Sequence, residues 1–426
     1  PFLEAIRQFR HEIGYQNSVL IHVTLVPYLK ASGELKTKPT QQSVKALQGM
    51  GISPDVIVCR TEVPLEDGIE SKIALFCNVP EDHVLQNLDV EYLYEAPLAM
   101  EKERLAHVVC ECLNLPCPEP QLGDWKQMVD ALKNPTSEVT IALVGKYIQL
   151  HDAYLSVMEA LKHGGIANRT KVTIKWVDSE FLKPEALDDT FAGVDGIIIP
   201  GGFGSRGTEG MILAANYARE NKIPFLGICL GMQMAMVAFA RNVLGYADAN
   251  SSELDPETTH PVVDLMPDQN GVENLGGTLR LGSYPCVLDK KSKAYSLYGT
   301  DMINERHRHR FEINNDYRDD FTSHGMMLSG QSPDGHIVEM IELPDHPFYV
   351  GIQAHPEFKS RPNHAHPLFA GFVESAEEQG VLRRAKKLLM KRNHLSEPEA
   401  HRYLQKTSMD TGRTMAESAH MVTMLI

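Results

Sequence analysis

Four short, unbroken apolar runs, each ending at a sharp corner, constrain the fold of this chain more than any other feature. They are "VTIALVG" (139–145), "VDGIIIPGGFG" (194–204), "IPFLGICLGMQ" (223–233) and "FYVGIQAHPEF" (348–358). Runs of this length without alternation read as buried strands, whereas "MQMAMVAFARNVL" after the third carries apolar residues at helical spacing. Strands alternating with helices define an α/β architecture. The corner at Gly227-Ile228-Cys229-Leu230-Gly231 joins strand to helix and places a thiol between two glycines. Flanking glycines permit a strained turn that presents the central side chain, and a thiol at a helix N-terminus has its thiolate favoured by the macrodipole. Cys229 is therefore a candidate nucleophile.

A nucleophilic thiol needs a base, and the base needs a group to orient it. The fourth run ends in His355-Pro356-Glu357. Side chains two apart on an extended segment point the same way, so Glu357 is placed to hold the His355 ring while the ring faces a thiol. In the second run a buried strand enters Pro200-Gly201-Gly202-Phe203-Gly204, where glycines let backbone donors approach a developing oxyanion.

Together these motifs resemble the class I glutamine amidotransferases, whose glutaminase domain uses a Cys-His-Glu triad in this order. The resemblance implies an oxyanion hole at Gly202 and Leu230. It becomes specific to the CTP synthase family through "SEVTIALVGKYIQLHDAYLSVMEALKHGG", "GTEGM", "NLGGTLRLG", "ERHRHRFEINN", "LVPYLKASGELKTKPTQQSV" and "KIALFCNVPEDHV", and it covers residues 1 to about 378. The resemblance implies that Gly231, Met232, Gln233 and Glu253 join the glutamine site, with Glu253 attracting the α-ammonium group and Arg310 taking the α-carboxylate. Alternation along "ERHRHR" places Arg306, Arg308 and Arg310 on one face. It further implies pyrimidine-nucleotide (UTP/CTP) contacts at Lys36, Thr37, Lys38, Pro39, Thr40, Gln41 and Lys72, an ATP adenine pocket near Asp89 and Val90, and GTP activation through Arg280. Lysines suit a triphosphate as mobile point charges.

One departure stands out. The family carries a P-loop, G-x-x-x-x-G-K-[ST], with acidic Mg2+ ligands nearby, and these 426 residues contain no such motif. The expectation is a partial Rossmann-like, P-loop-type synthase domain, N-terminally incomplete, that retains glutaminase activity without the ATP-phosphate cradle or any metal site. The expected organisation is a synthase portion over 1–114, a proline-marked linker over 115–138, an α/β glutaminase domain over 139–378, and a small three-helix segment over 379–426. "SSELDPETTHPVVDLMPDQNGVENLGG" reads as a surface loop.

The last segment resembles an ANTAR domain, a three-helix RNA-binding module, through "AKKLLM", "LSEPEAHRYLQK" and "SMDTGRTMAE", with capping boxes at Ser396/Glu399 and Thr414/Glu417. From Gly380 to Ile426 nine lysines and arginines face four acids, a net +5 in a chain of net charge −15. Acidity of the rest argues against generic nucleic-acid binding by the body, while the tail attracts phosphate, with Arg402, Lys406 and Arg413 as the expected RNA-facing residues. Seven cysteines in no disulfide spacing, and no apolar run of membrane-spanning length, fit a cytoplasmic chain. Cys110, Cys112 and Cys117 cluster either as packing thiols or as metal ligands. The family implies glutamine, UTP, ATP and GTP as ligands and a homotetramer. Two function classes remain: an amidotransferase enzyme with an unusual tail, and a regulator whose glutaminase-like body senses glutamine or nucleotide while its tail binds RNA. An intact Cys229, His355 and Glu357 favours the enzyme.

Overall fold

In the computed structural model, which describes residues 1–265 and 280–425, the chain divides into two compact units, Pro1–Val129 and Asp130–Ile426. The first opens with helix α1 (Phe2–Ile13) and holds a parallel three-stranded sheet in the order β1 (Ile21–Leu25), β2 (Val56–Thr61), β3 (Val84–Leu88). Helices α2 (Lys38–Gly49) and α3 (Ile69–Cys77) pack with it over Val44, Ile57, Ile73 and Val84. Strand β1 lies at the sheet edge with Ile21, Val23 and Leu25 exposed. Cys59 and Cys77 are buried in this core, and burial pushes the Cys59 thiol up to about 12, which keeps it protonated and inert.

The second unit is built on a nine-stranded sheet. Its strands are β4 (Ser137–Gly145), β5 (Thr170–Asp178), β6 (Gly196–Ile199), β7 (Phe225–Ile228), β8 (Arg280–Leu288), β9 (Met302–His309), β10 (Met327–Gln331), β11 (Val338–Glu342) and β12 (Tyr349–Ile352), in the spatial order β9-β8-β10-β11-β12-β7-β6-β4-β5. The four apolar runs supply β4, β6, β7 and β12, which pair in parallel as neighbours. Helices cover both faces, which is why these strands are apolar throughout. On β4 the side chains of Ile141 and Leu143 join one layer with α4 (Leu155–Ala167) and α7 (Pro367–Asn393), while Ala142 and Val144 join the other with α5 (Thr208–Glu220) and α6 (Leu230–Phe239). Helix α6 is buried on every side, so its apolar character is unbroken.

Two expectations change. Part of the stretch from residue 251 onward forms strand rather than surface loop: Pro261–Leu265 pairs with Asn250–Ser251 on one side and with Phe311–Ile313 on the other, because Val262 and Val263 are buried against the α6 layer. Residues 266–279, including "NLGGTL", lie outside the described residues. Helix α7 runs unbroken for 27 residues through the expected boundary at 378/379. Its last turns, with α8 (Glu397–Thr411) and α9 (Met415–Leu425), close a small core of Val381, Ala385, Leu389, Ala400, Leu404, Ala419 and Val422. Both capping boxes form: Ser396 N and Thr414 N each donate to a carboxylate oxygen of the glutamate three residues on, at 2.8 Å. Among the described residues no helix is long and apolar enough to cross a membrane.

Candidate active site

The corner between β7 and α6 is strained as the glycine spacing foretells: Cys229 takes φ 51°, ψ −104°. A non-glycine residue pays for such a backbone angle, and the surroundings hold it there through Cys229 N–H donating to Ile352 O at 2.7 Å. Gly231 is obligatory for a different reason, since a β-carbon there would lie 2.1 Å from the carbonyl oxygen of Ile199. Strand β12 lies beside β7, so the residues that follow it arrive at the sulfur.

His355 Nδ1 and Glu357 Oε1 are 2.8 Å apart. The expected pairing is present, but its geometry differs from the extended one, because β12 ends at Ile352 and Glu357 reaches the ring from a single 3-10 turn, Pro356–Phe358. His355 N–H donates to Arg306 O of β9 at 2.7 Å, which fixes the ring's root. A β-carbon on Gly201 would sit 2.7 Å from His355 Cε1 and 3.5 Å from Cys229 Cβ, so the glycine loop packs against both base and nucleophile. Burial alone would lower the His355 pKa. Cys229 and Glu357 reverse that and raise it to about 10, so at neutral pH the ring carries a proton to give. With Nδ1 held by Glu357, the buried Nε2 is the ring nitrogen left to face Cys229.

Around this triad the structure gathers several of the expected glutamine contacts. Burial raises the pKa of Glu253, opposed by the Gly204 N–H and by the charges of Lys146 and Arg310. Glu253 and Arg310 are thus neighbours, although 57 positions apart in sequence. Arg306 and Arg308 share the exposed face of β9. His307 and His309 are buried on the opposite face, and Arg310, half-buried, follows the strand's end. Met232 and Gln233 are buried in α6. The amide nitrogen of Gln233 is committed to Phe311 O at 3.0 Å and Gln353 Oε1 at 3.2 Å.

Arg280 begins β8. It is buried against Glu339 at 2.6 Å and stacks on Tyr284 at 4.4 Å, in a polar cluster with Glu312, His307 and His309. Burial keeps both imidazoles neutral, with pKa values lowered to about 2 and about 3.

In the first unit, Thr37 precedes α2 and Lys38, Pro39, Thr40 and Gln41 form its first turn, with Pro39 suited to that place. Lys36 pairs with Glu34, and Gln41 Nε2 donates to Thr37 Oγ1 at 3.2 Å. Thr40 is buried and donates to Leu25 O, whereas Lys36 and Lys38 are exposed and Lys72 is exposed on α3. Asp89, just past β3, pairs with Arg60 at 3.0 Å, and Val90 follows it. In the tail Arg402 and Lys406 stand exposed one turn apart on α8, and Arg413 is exposed before α9. Among the described residues no group of three or more His, Cys, Asp or Glu is arranged to hold a metal ion.

Sequence reading missed Lys146. It is 4% exposed, follows the last glycine of β4, donates to Phe203 O at 2.9 Å and to Gly204 O, and has its pKa lowered by burial to about 8. Its Cε lies 3.4 Å from where a Gly202 β-carbon would be, so it clamps the glycine loop from below. The signal was available, since Lys146 sits at the same end of its strand as the other corners. Lys146→Met is expected to lower glutamine turnover roughly ten- to a hundredfold, the size of a lost charged hydrogen bond, while iodoacetamide still alkylates Cys229 at the wild-type rate. Wild-type turnover in a steady-state assay would remove the clamp from the mechanism.

An α/β sheet with a cysteine on a strained corner and a histidine-glutamate pair arriving from the adjacent strand defines a class I glutamine amidotransferase, and the model of that class (glutamine amidotransferase class-I) matches residues 149–375. The CTP synthase N-terminus model matches residues 1–115 and the ANTAR domain model residues 372–422. CTP synthase of Ruminiclostridium cellulolyticum is 60% identical over 378 residues, covering 89% of this chain and 71% of that protein. CTP synthase of Clostridium beijerinckii is 57% identical over 379 residues, with the same coverage of each chain. The Trypanosoma brucei CTPS glutaminase domain with bound acivicin superposes with a TM-score of 0.53 at 38% identity, covering 56% of this chain and 93% of that one. The chain belongs to the CTP synthase family, as a glutamine-hydrolysing enzyme with glutamine as amido donor. Against the expected N-terminally incomplete synthase portion, the synthase N-terminus model matches residues 1–115, and the chain spans 71% of the length of these two CTP synthases.

Proposed function

We propose that Cys229, His355 and Glu357 hydrolyse glutamine and that the ammonia formed aminates UTP. The observation that carries the glutaminase assignment is the pairing of His355 with Glu357 beside a cysteine held at φ 51°. Cys229 Sγ attacks the side-chain carbonyl carbon of glutamine, and the oxyanion is received by backbone N–H groups of Gly202 and Leu230. Collapse breaks the C–N bond, with the proton on His355 going to the departing ammonia. Water then attacks the thioester, giving its proton to His355, and glutamate leaves as the thiolate returns. Arg310 and Glu253 bind the α-carboxylate and the α-ammonium of the substrate.

A glutamine-analogue electrophile is expected to label Cys229 alone of the seven cysteines, with glutamine protecting it. Labelling elsewhere, read by peptide mass spectrometry, would sink the triad. Arg310→Ala and Glu253→Ala each leave one charged end of the substrate unpaired, a cost of about 1.5–3 kcal/mol, so KM should rise roughly ten- to 150-fold. A wild-type KM in either variant removes that residue from the site.

UTP is read by the α2 N-terminal segment, with Lys36, Lys38 and Lys72 on its phosphates, and ATP by the end of β3 at Asp89 and Val90. The described residues offer no Mg2+ ligand set, and no step here runs through one. GTP activation acts through Arg280, whose guanidinium pairs with Glu339 and stacks on Tyr284. The tail binds hairpin RNA through Arg402, Lys406 and Arg413, supported by their exposure on a net-positive segment. Replacing all three by alanine should weaken hairpin-RNA binding and flatten its salt dependence, the slope of log K against log[salt] falling by roughly 0.7–0.9 for each phosphate no longer neutralised. An unchanged slope makes the tail a structural appendage.

A further inference from the structure

Two residues before His355, the side chain of Gln353 is wholly buried, and its Nε2 lies 3.6 Å from Cys229 Sγ. Its orientation follows from its neighbours. Gln233 Nε2 donates to the carbonyl of Phe311 at 3.0 Å, which settles which end of Gln233 is nitrogen, and that nitrogen also faces Gln353 at 3.2 Å. Two NH2 groups cannot hydrogen-bond each other, so Gln353 must turn Oε1 to Gln233 and Nε2 to the sulfur. The backbone is fixed as well, with Gln353 N–H donating to Glu339 O on β11 at 2.9 Å.

We propose that Gln353 is a catalytic residue of the glutaminase, donating its side-chain N–H to the Cys229 sulfur, so that the thiolate is stabilised and held in one rotamer before attack and again when it leaves the thioester. The proposal rests on Cys229 being the nucleophile. A hydrogen bond to the charged form of a group favours that form, and the Gln353 amide adds a second polar partner to the one the His355 ring gives the sulfur. The chain Phe311 O, Gln233, Gln353, Cys229 also gives Gln233 a second task. Besides facing substrate glutamine, it sets the amide that touches the nucleophile.

The test is Gln353→Glu, which keeps the shape and the bond from Gln233 but presents an acceptor to the sulfur. Initial rates of Cys229 alkylation by iodoacetamide across pH are expected to show a midpoint at least about one unit higher than wild type, and kcat for glutamine should fall roughly ten- to a hundredfold with KM little changed. A merely structural role would not move the midpoint. If this variant fails to fold, as judged by Trp176 fluorescence, Gln353→Met removes the donor at similar length and carries the same expectation. In the wild-type chain, the side-chain 15N signal of Gln353 should shift when Cys229 is alkylated. An unchanged midpoint in a folded variant, or an unmoved signal, overturns the proposal. Failure of the underlying nucleophile assignment looks different, because the wild-type chain would then resist labelling at Cys229 by the glutamine analogue.

Discussion

Cys229→Ala abolishes release of glutamate from glutamine, with a loss on the order of 10⁴-fold or more, while the protein stays folded. No other cysteine stands on the β7–α6 corner: Cys59, Cys77 and Cys286 are buried, with burial pushing the first up to about 12 and the others upward too, and Cys110, Cys112 and Cys117 belong to the first unit. The thioester route needs a sulfur on the strained corner, and alanine provides none. The fold survives because alanine adopts the same backbone with about the same strain, and deletion of one small buried atom costs only about 1 kcal/mol. Glutamate release near the wild-type rate in a coupled assay, with an unaltered melting curve, would dismiss the assigned nucleophile.

The double variant Arg383→Met with Arg384→Met destabilises the second unit by about 2–3 kcal/mol at pH 7. Asp195 lies at the foot of β6, 3% exposed, accepting the backbone N–H of Thr140 at 2.8 Å. Arg383 pairs with it and donates to Val194 O at 2.7 Å, and Arg384 lies 3.6 Å from the same carboxylate. Breaking a fully buried pair costs about 3–5 kcal/mol, reduced here because the two arginine side chains are 41% and 46% exposed. Methionine keeps the apolar stem, so the loss reports charge rather than packing.

The pH dependence has a definite sign. Burial raises the folded pKa of Asp195, against the Thr140 N–H and the arginines. A raised carboxylate pKa means that the folded state holds the proton more readily than the unfolded chain. Its penalty is therefore absent below the ordinary carboxylate range and grows as pH rises through the folded value. Removing the arginines raises that value further, so the two proteins should converge in stability near about pH 4 and differ most at pH 7. Equal stability at both, measured by urea denaturation, would show the pair to be dispensable. A chain ending at Gln379 loses both arginines and leaves Asp195 buried with its charge unbalanced. Gly380 is part of the same joint, since a β-carbon there would lie 2.5 Å from Asp195 Oδ1. The tail is thus bolted to the glutaminase sheet.

Much of this was legible because its causes are local. Glycines on both sides of Cys229 announce a strained corner, unbroken apolar runs announce strands covered on both faces, and serine or threonine three residues before glutamate announces a helix start. Each feature depends on neighbours within one turn of chain. Tyr403 shows where locality stops: it belongs to the apolar pattern of α8, yet it is 46% exposed, because the helix turns Ala400 and Leu404 inward instead.

Alternation along "ERHRHR" correctly separates two faces, but which face is buried depends on β8 and β11 delivering Arg280 and Glu339 to the histidine side. That choice removed Arg280 from solvent. Lys146, Gln353 and Asp195 went unread for the same reason: their partners lie 57, 124 and 188 positions away. Sequence determined which residues carry reactive groups and which corners present them, since those follow from backbone strain and side-chain chemistry. Which buried polar groups meet came from packing, because desolvation forces every enclosed donor and acceptor to find a partner among whatever the other strands bring.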